Sequence, residues 1–143
     1  MKLLFLLVAS VGTMAQTIGI ADISDAASRT SLTGTATFAK QAVSCFLTAT
    51  NRSNLALKDI AVLVKITRPD GQYSEFKFIH THHVDRGVEP GKQMPIAVDA
   101  CSDDYANNKT STKNPASATA ATIAVRYTDG TVWGDQKEFE DID

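Results

Sequence analysis

Catalytic signatures are what this sequence most clearly lacks. It has no Gly-x-Ser-x-Gly elbow, no phosphate-cradling glycine-rich loop and no His-Glu-x-x-His motif. The acidic residues are scattered, mostly in turns and at the C-terminus, so no paired carboxylates stand out for glycoside hydrolysis. Helical periodicity is nearly absent. Tryptophan occurs once, cysteine twice and histidine three times in 143 residues. With 14 basic and 16 acidic residues, net −2, there is no electrostatic case for nucleic acid or an anionic membrane as partner. Past the N-terminus no apolar run approaches the roughly 20 residues of a membrane-spanning helix. A C-terminal apolar tail of the kind a lipid-anchor signal needs is also missing.

What is present begins with residues 1–15. Lys2 gives a positive start, Leu3 to Val11 is almost unbroken apolar sequence, and Thr13-Met14-Ala15 places small residues before a cut. This is the layout of a secretory signal peptide cleaved after Ala15. No cysteine stands at the cut to take a bacterial lipid anchor. The expected mature chain starts at Gln16, has 128 residues and carries 13 basic against 16 acidic groups. It is large enough for one domain with a real core. The chain divides into a signal peptide (1–15), one domain (16–137) and an acidic tail (138–143) that frays unless Phe139 or Ile142 docks it, in a secreted or periplasmic protein. In an oxidising compartment Cys45 and Cys101 are candidates for a disulfide, which would stabilise by about 4 kcal/mol in the chain-entropy account. The alternative is two separate buried thiols.

The mature chain reads as short strands divided by turn chemistry. Thr17 to Ile23 fits a first edge strand, and Ser24 to Arg29 a turn. Ser31 to Phe38 alternates threonine with other residues, and in Ala42 to Thr50 the residues Val43, Cys45 and Leu47 share one face. Leu57 to Thr67 is the clearest strand: Ile60, Val62, Val64 and Ile66 alternate at period two. Pro69-Asp70-Gly71 turns it into Gln72 to His80, a hairpin. Met94, Ile96 and Val98 alternate on a strand that Pro95 suits to an edge. Residues 102–117 are polar and fit an exposed loop. Thr119 to Thr128 and Thr131 to Lys137 make a final hairpin through Asp129-Gly130. Seven to eight strands with regular turns predict an all-β, antiparallel two-sheet sandwich, immunoglobulin-like or fibronectin type III-like. Barrel closure is the alternative.

Residues 51 to 135 carry Asn51-Arg52-Ser53, Pro69-Asp70-Gly71, Glu89-Pro90-Gly91-Lys92 and the closing Asp129-Gly130-Thr131-Val132-Trp133-Gly134-Asp135. In these motifs the chain resembles small secreted bacterial β-sandwich proteins of uncharacterised function. The resemblance implies the sandwich and brings no catalytic residue.

Three groups of residues are candidates for a site. His80 and His82 would share a strand face about 7 Å apart at Cα, with Asp85 or Glu89 as a third ligand to zinc or copper. The plainer reading is a solvated strand end, and no cofactor is predicted. Tyr105, Asn107 and Asn108 give the long polar loop the composition of an adaptable binding loop for a protein or glycan partner, the plainer reading being a mobile insertion without function. Trp133 is either a core plug or an exposed platform. Asn51 and Asn108 both head glycosylation sequons. The functional expectation is an exported, non-catalytic binding or structural module, with metal binding through His80 and His82 as the alternative.

Overall fold

The computed structural model describes residues 16–39, 42–81, 86–98 and 117–142. Among these residues eight strands run in order: β1 Gln16–Asp22, β2 Thr30–Ala39, β3 Ala42–Asn51, β4 Leu57–Thr67, β5 Tyr73–Thr81, β6 Gln93–Val98, β7 Ser117–Tyr127 and β8 Val132–Gly134. A 3₁₀ turn covers Ala26–Ser28 and a second 3₁₀ segment covers Gln136–Ile142.

The apolar alternation that marks each strand does set its buried face. In β4, Ile60, Val62, Val64 and Ile66 are all at most 1% exposed. Opposite them, β5 contributes Phe76 and Phe78 in antiparallel register with Val64 and Val62. The turn between them is built as its residues require. Gly71 takes φ +89°, a value glycine adopts without steric cost, and the Asp70 carboxylate accepts from the Gln72 N–H at 2.9 Å. Pro95 lies within β6, which ends the sheet among the described residues, so its missing N–H leaves no ladder bond unmade there.

The expected antiparallel two-sheet sandwich, immunoglobulin-like or fibronectin type III-like, is not what forms. The strands make one sheet in the order β5-β4-β7-β1-β2-β3-β6, with β8 added beside β7. The sheet is mixed and curls into a half-barrel whose concave side encloses a single core. That core draws on both ends of the path, from Leu32, Phe38 and Leu47 to Val64, Phe76 and Val125. The deciding element is β1, expected at an edge and found in the middle. Gln16 to Gly19 pair antiparallel with β2, whereas Ile20 to Asp22 pair parallel with β7. Alternating burial along a strand says which side faces in. It does not say which strands lie alongside, and a curled sheet meets the same burial pattern as two stacked ones.

The divergence of β1 from β2 would leave the backbone of β2 short of an acceptor. Asp22 supplies it: its carboxylate accepts the Leu32 N–H at 2.8 Å and the Ser24 N–H at 2.9 Å. Nearby, a buried hydroxyl relay runs from Ser28 to Thr30 (3.1 Å) to Thr122 (2.7 Å), tying β2 to β7 across the core. Burial pushes the Asp22 pKa up. The Ser24 hydroxyl and the Leu32 and Ser24 N–H groups outweigh it, so the carboxyl titrates below its ordinary 3.8. A depressed folded-state pKa contributes stability that is complete above the unfolded value and is lost as pH falls through the folded one. Asp22→Asn is therefore expected to be less stable than wild type at neutral pH, with the gap closing on acidification below 3.8. Urea midpoints across that range check it, and a gap independent of pH would contradict it.

Candidate binding surface

The convex side of the curled sheet divides into two halves of opposite character. Along β4, β5 and β7 the outward positions carry Asp59, Lys65, Glu75, Lys77 and Arg126, and this half is partly covered. The C-terminal 3₁₀ segment lies across it and buries Phe139 (1% exposed) against Ala61 and Ala124. The Arg126 guanidinium sits 5.5 Å from the Phe139 ring centre and donates to the buried Asp59 carboxylate at 2.6 Å. Lys77 pairs with Glu138 at 2.9 Å. The expected acidic tail is thus, through residue 142, a docked 3₁₀ segment. Next to it, Arg126, Gly130, Val132, Gln136, Phe139 and Glu140 line a hollow of about 170 Å³, below the size of ordinary ligand pockets.

The other half, made by β2, β3, β6 and the start of β1, has no charged residue at an outward position among the described residues. Register places them in rows: Thr17, Thr37 and Ser44; then Gly19, Thr35 and Phe46; then Thr33, Thr48 and Pro95; then Ser31, Thr50 and Gln93. Hydroxyl side chains fill most of it, and the Thr17 and Thr37 hydroxyls hydrogen-bond each other at 3.1 Å. Phe46 stands in the middle, 53% exposed. Arg52, just past β3, reaches only the rim, donating from Nε to the Ser31 hydroxyl at 2.9 Å. Gly34 lies on the core side directly behind this face. A Cβ there would run into the Phe46 carbonyl oxygen and come within 2.7 Å of Leu47 Cδ2, so β2 and β3 approach closely only because position 34 is glycine.

The residues singled out from sequence fall elsewhere. His80 continues the core-facing register of Phe76 and Phe78, half-buried opposite Ile60. His82 and Asp85 lie outside the described residues, and among the described residues no three His, Cys, Asp or Glu side chains gather into a metal-ligand group. Cys45 is fully buried on the core side of β3, while Cys101 lies outside the described residues. The same holds for Tyr105, Asn107 and Asn108. Trp133 is half-buried, opposite Val125, and packs against the core. Asn51 is fully buried with its amide group engaged, so the sequon it heads presents no acceptor for a glycan.

Sequence reasoning missed the uncharged face. The signal was there in the alternate Ser31, Thr33, Thr35 and Thr37 and in the absence of Lys, Arg, Asp and Glu from 30–39 and 42–50. It reads as ordinary half-exposed strand until β3 and β6 are known to lie alongside. No protein-family model, curated protein or solved structure matches the chain. Among the described residues no helix is long and apolar enough to cross a membrane.

Proposed function

We propose that this chain is an exported, non-catalytic binding module that engages its partner through the uncharged outer face of β1, β2, β3 and β6. The observation that carries the reading is the segregation of charge. Solvent-facing surfaces ordinarily mix in charged side chains at a quarter to a third of positions, which keeps them soluble and free of unwanted contacts. A four-strand face with none among its described residues, centred on an exposed phenylalanine, departs from that pattern in the way a binding surface does. The charged half of the convex side, by contrast, is engaged by the chain's own C-terminal segment.

A lysine placed in the middle of the face should abolish capture without touching the core. Thr35→Lys and Thr48→Lys are expected to change stability by no more than about 0.5 kcal/mol, as surface substitutions usually do. Each should remove whatever partner the wild-type protein retains from the exported fraction. Retention unchanged in both variants would reject this face.

Export rests on residues 1–15. Intact-mass measurement of the exported protein is expected to give Gln16 as its first residue. The same compartment supports a Cys45–Cys101 bridge, seen as a mobility shift on reduction that Cys45→Ala abolishes.

A further inference from the structure

The binding reading leaves the partner's chemistry open, and the face narrows it. Phe46 is flanked across the sheet by Thr35 and along its own strand by Ser44 and Thr48, with Thr33 and Thr37 on the diagonals. Direct cross-strand neighbours stand about 5 Å away and diagonal ones about 7–8 Å. The ring is therefore bordered by five hydroxyls on its β2 side and along β3, while across on β6 its register partner is Ala97, with Pro95 on the diagonal. Elsewhere on the convex side an exposed aromatic is handled differently: Tyr73, 56% exposed, has the Lys65 ammonium 4.1 Å from its ring centre. Among the described residues no outward neighbour of Phe46 in the sheet carries a long charged side chain that could lie over the ring.

On that basis we infer that this face binds a neutral polysaccharide, with Phe46 stacking on the C–H face of one sugar unit and the surrounding serine and threonine hydroxyls bonding to the sugar hydroxyls. The chemistry matches on each count. Every Ser or Thr hydroxyl offers one donor and two acceptor sites, as a sugar hydroxyl does, so pairing can run in either direction. A pyranose has an apolar C–H side of about the breadth of a phenyl ring. Among the described residues no outward position of the face carries a cation, and the Arg52 guanidinium at its rim is held on the Ser31 hydroxyl, which disfavours nucleic acids and acidic glycans. A protein interface of this extent would need an apolar core of several aromatic or aliphatic anchors, and among the described residues Phe46 is the one large apolar side chain exposed on this face. Four strands about 4.8 Å apart, read over four outward positions of β3, give an open platform of roughly 14 by 20 Å. That is a track for several linked sugar units and has no walls to enclose a single one.

This inference depends on the binding face proposed above, and the test separates the two. The purified protein is mixed with insoluble cellulose, chitin and amylose, with polygalacturonate as an anionic control, and the unbound fraction is measured. Retention is expected on at least one neutral polymer, unaffected by added salt, because no ion pair contributes. Phe46→Ala should weaken it about tenfold or more, the size of effect seen for a central aromatic anchor. Its circular dichroism and thermal midpoint should stay at wild-type values, since the ring is outside the core. Absence of retention on every neutral polymer overturns the polysaccharide, as does retention that Phe46→Ala leaves intact. If the polymers fail while Thr35→Lys and Thr48→Lys still abolish capture of a protein from the exported fraction, the face stands and its partner is a protein. If the polymers fail and the lysine variants change nothing, the face falls as well.

Discussion

Arg126→Met is expected to destabilise the protein by about 3–5 kcal/mol, the cost of stripping the partner from a buried charge. Asp59 is fully buried on the convex side of β4, and the Arg126 Nε–H at 2.6 Å is its ion-pair partner. The second carboxylate oxygen, Oδ1, is also buried and has no hydrogen-bond partner among the described residues. Methionine keeps much of the packing of the arginine stem against Phe139 but removes the cation, leaving a carboxylate in an apolar setting between the sheet and the C-terminal segment. Replacing both members, Asp59→Leu with Arg126→Met, should recover most of the loss, because the pair's attraction and its desolvation nearly cancel. Urea unfolding of the two single variants and the double variant forms the decisive cycle. A cost below about 1 kcal/mol for Arg126→Met would mean that water reaches Asp59 freely and that the pair behaves as a surface one.

The same cluster explains why the last residues belong to the fold. Phe139 is 1% exposed and covers Ala61 and Ala124, two small residues that leave room for its ring on the sheet. Loss of the segment would expose that apolar patch and the Asp59–Arg126 pair together.

Asn51→Ala is the second large effect, expected at about 3 kcal/mol or more, since each buried polar group left without a partner costs about 1–3 kcal/mol. The Asn51 amide donates to the Leu55 carbonyl at 2.8 Å and the Val88 carbonyl at 2.7 Å. Its carbonyl oxygen accepts the Ser53 N–H at 3.0 Å and the Ser53 hydroxyl at 2.7 Å. All four of its hydrogen-bonding positions are thus used. Its backbone adds two more ties, donating to Lys92 O and accepting from Gly91 N. One side chain therefore holds the end of β3, the loop into β4 and the Val88 segment that bridges to Leu57. Asn54→Ala, at an exposed position of the same loop, should leave stability within about 0.5 kcal/mol of wild type. Comparable losses in the two variants would show that the loop, and not the buried amide, limits stability.

Asn51 also marks where linear reading stops. Within the chain it opens a polar turn and a glycosylation sequon, and both suggest exposure. Its burial is decided by Val88, 37 residues away. The β4–β5 hairpin was legible for the opposite reason. Its signals are local, a period-two apolar run and a Pro-Asp-Gly turn, and its register follows from them. The binding face lies between these cases. Each strand's Thr and Ser residues were visible, but an uncharged platform exists only once β1, β2, β3 and β6 are in register. For the histidine pair the alternation of β5 assigns His80 to the core side, and His82 and Asp85 fall outside the described residues.

By itself the sequence determined the local matters: which segments are strands, which side of each is buried, where the chain turns, and that no familiar catalytic motif is present. These follow from side-chain alternation, turn stereochemistry and composition, which act over a few residues. The tertiary structure decided what depends on distant partners. It split β1 between β2 and β7 and so joined the strands into one curled, mixed sheet. It laid Phe139 over the buried Asp59–Arg126 pair, and it separated the charged half of the convex side from the uncharged one. Burial in a strand is a choice between two sides that any partner can satisfy. Pairing is settled by the combined packing of segments up to a hundred residues apart, such as Ser24 with Thr122.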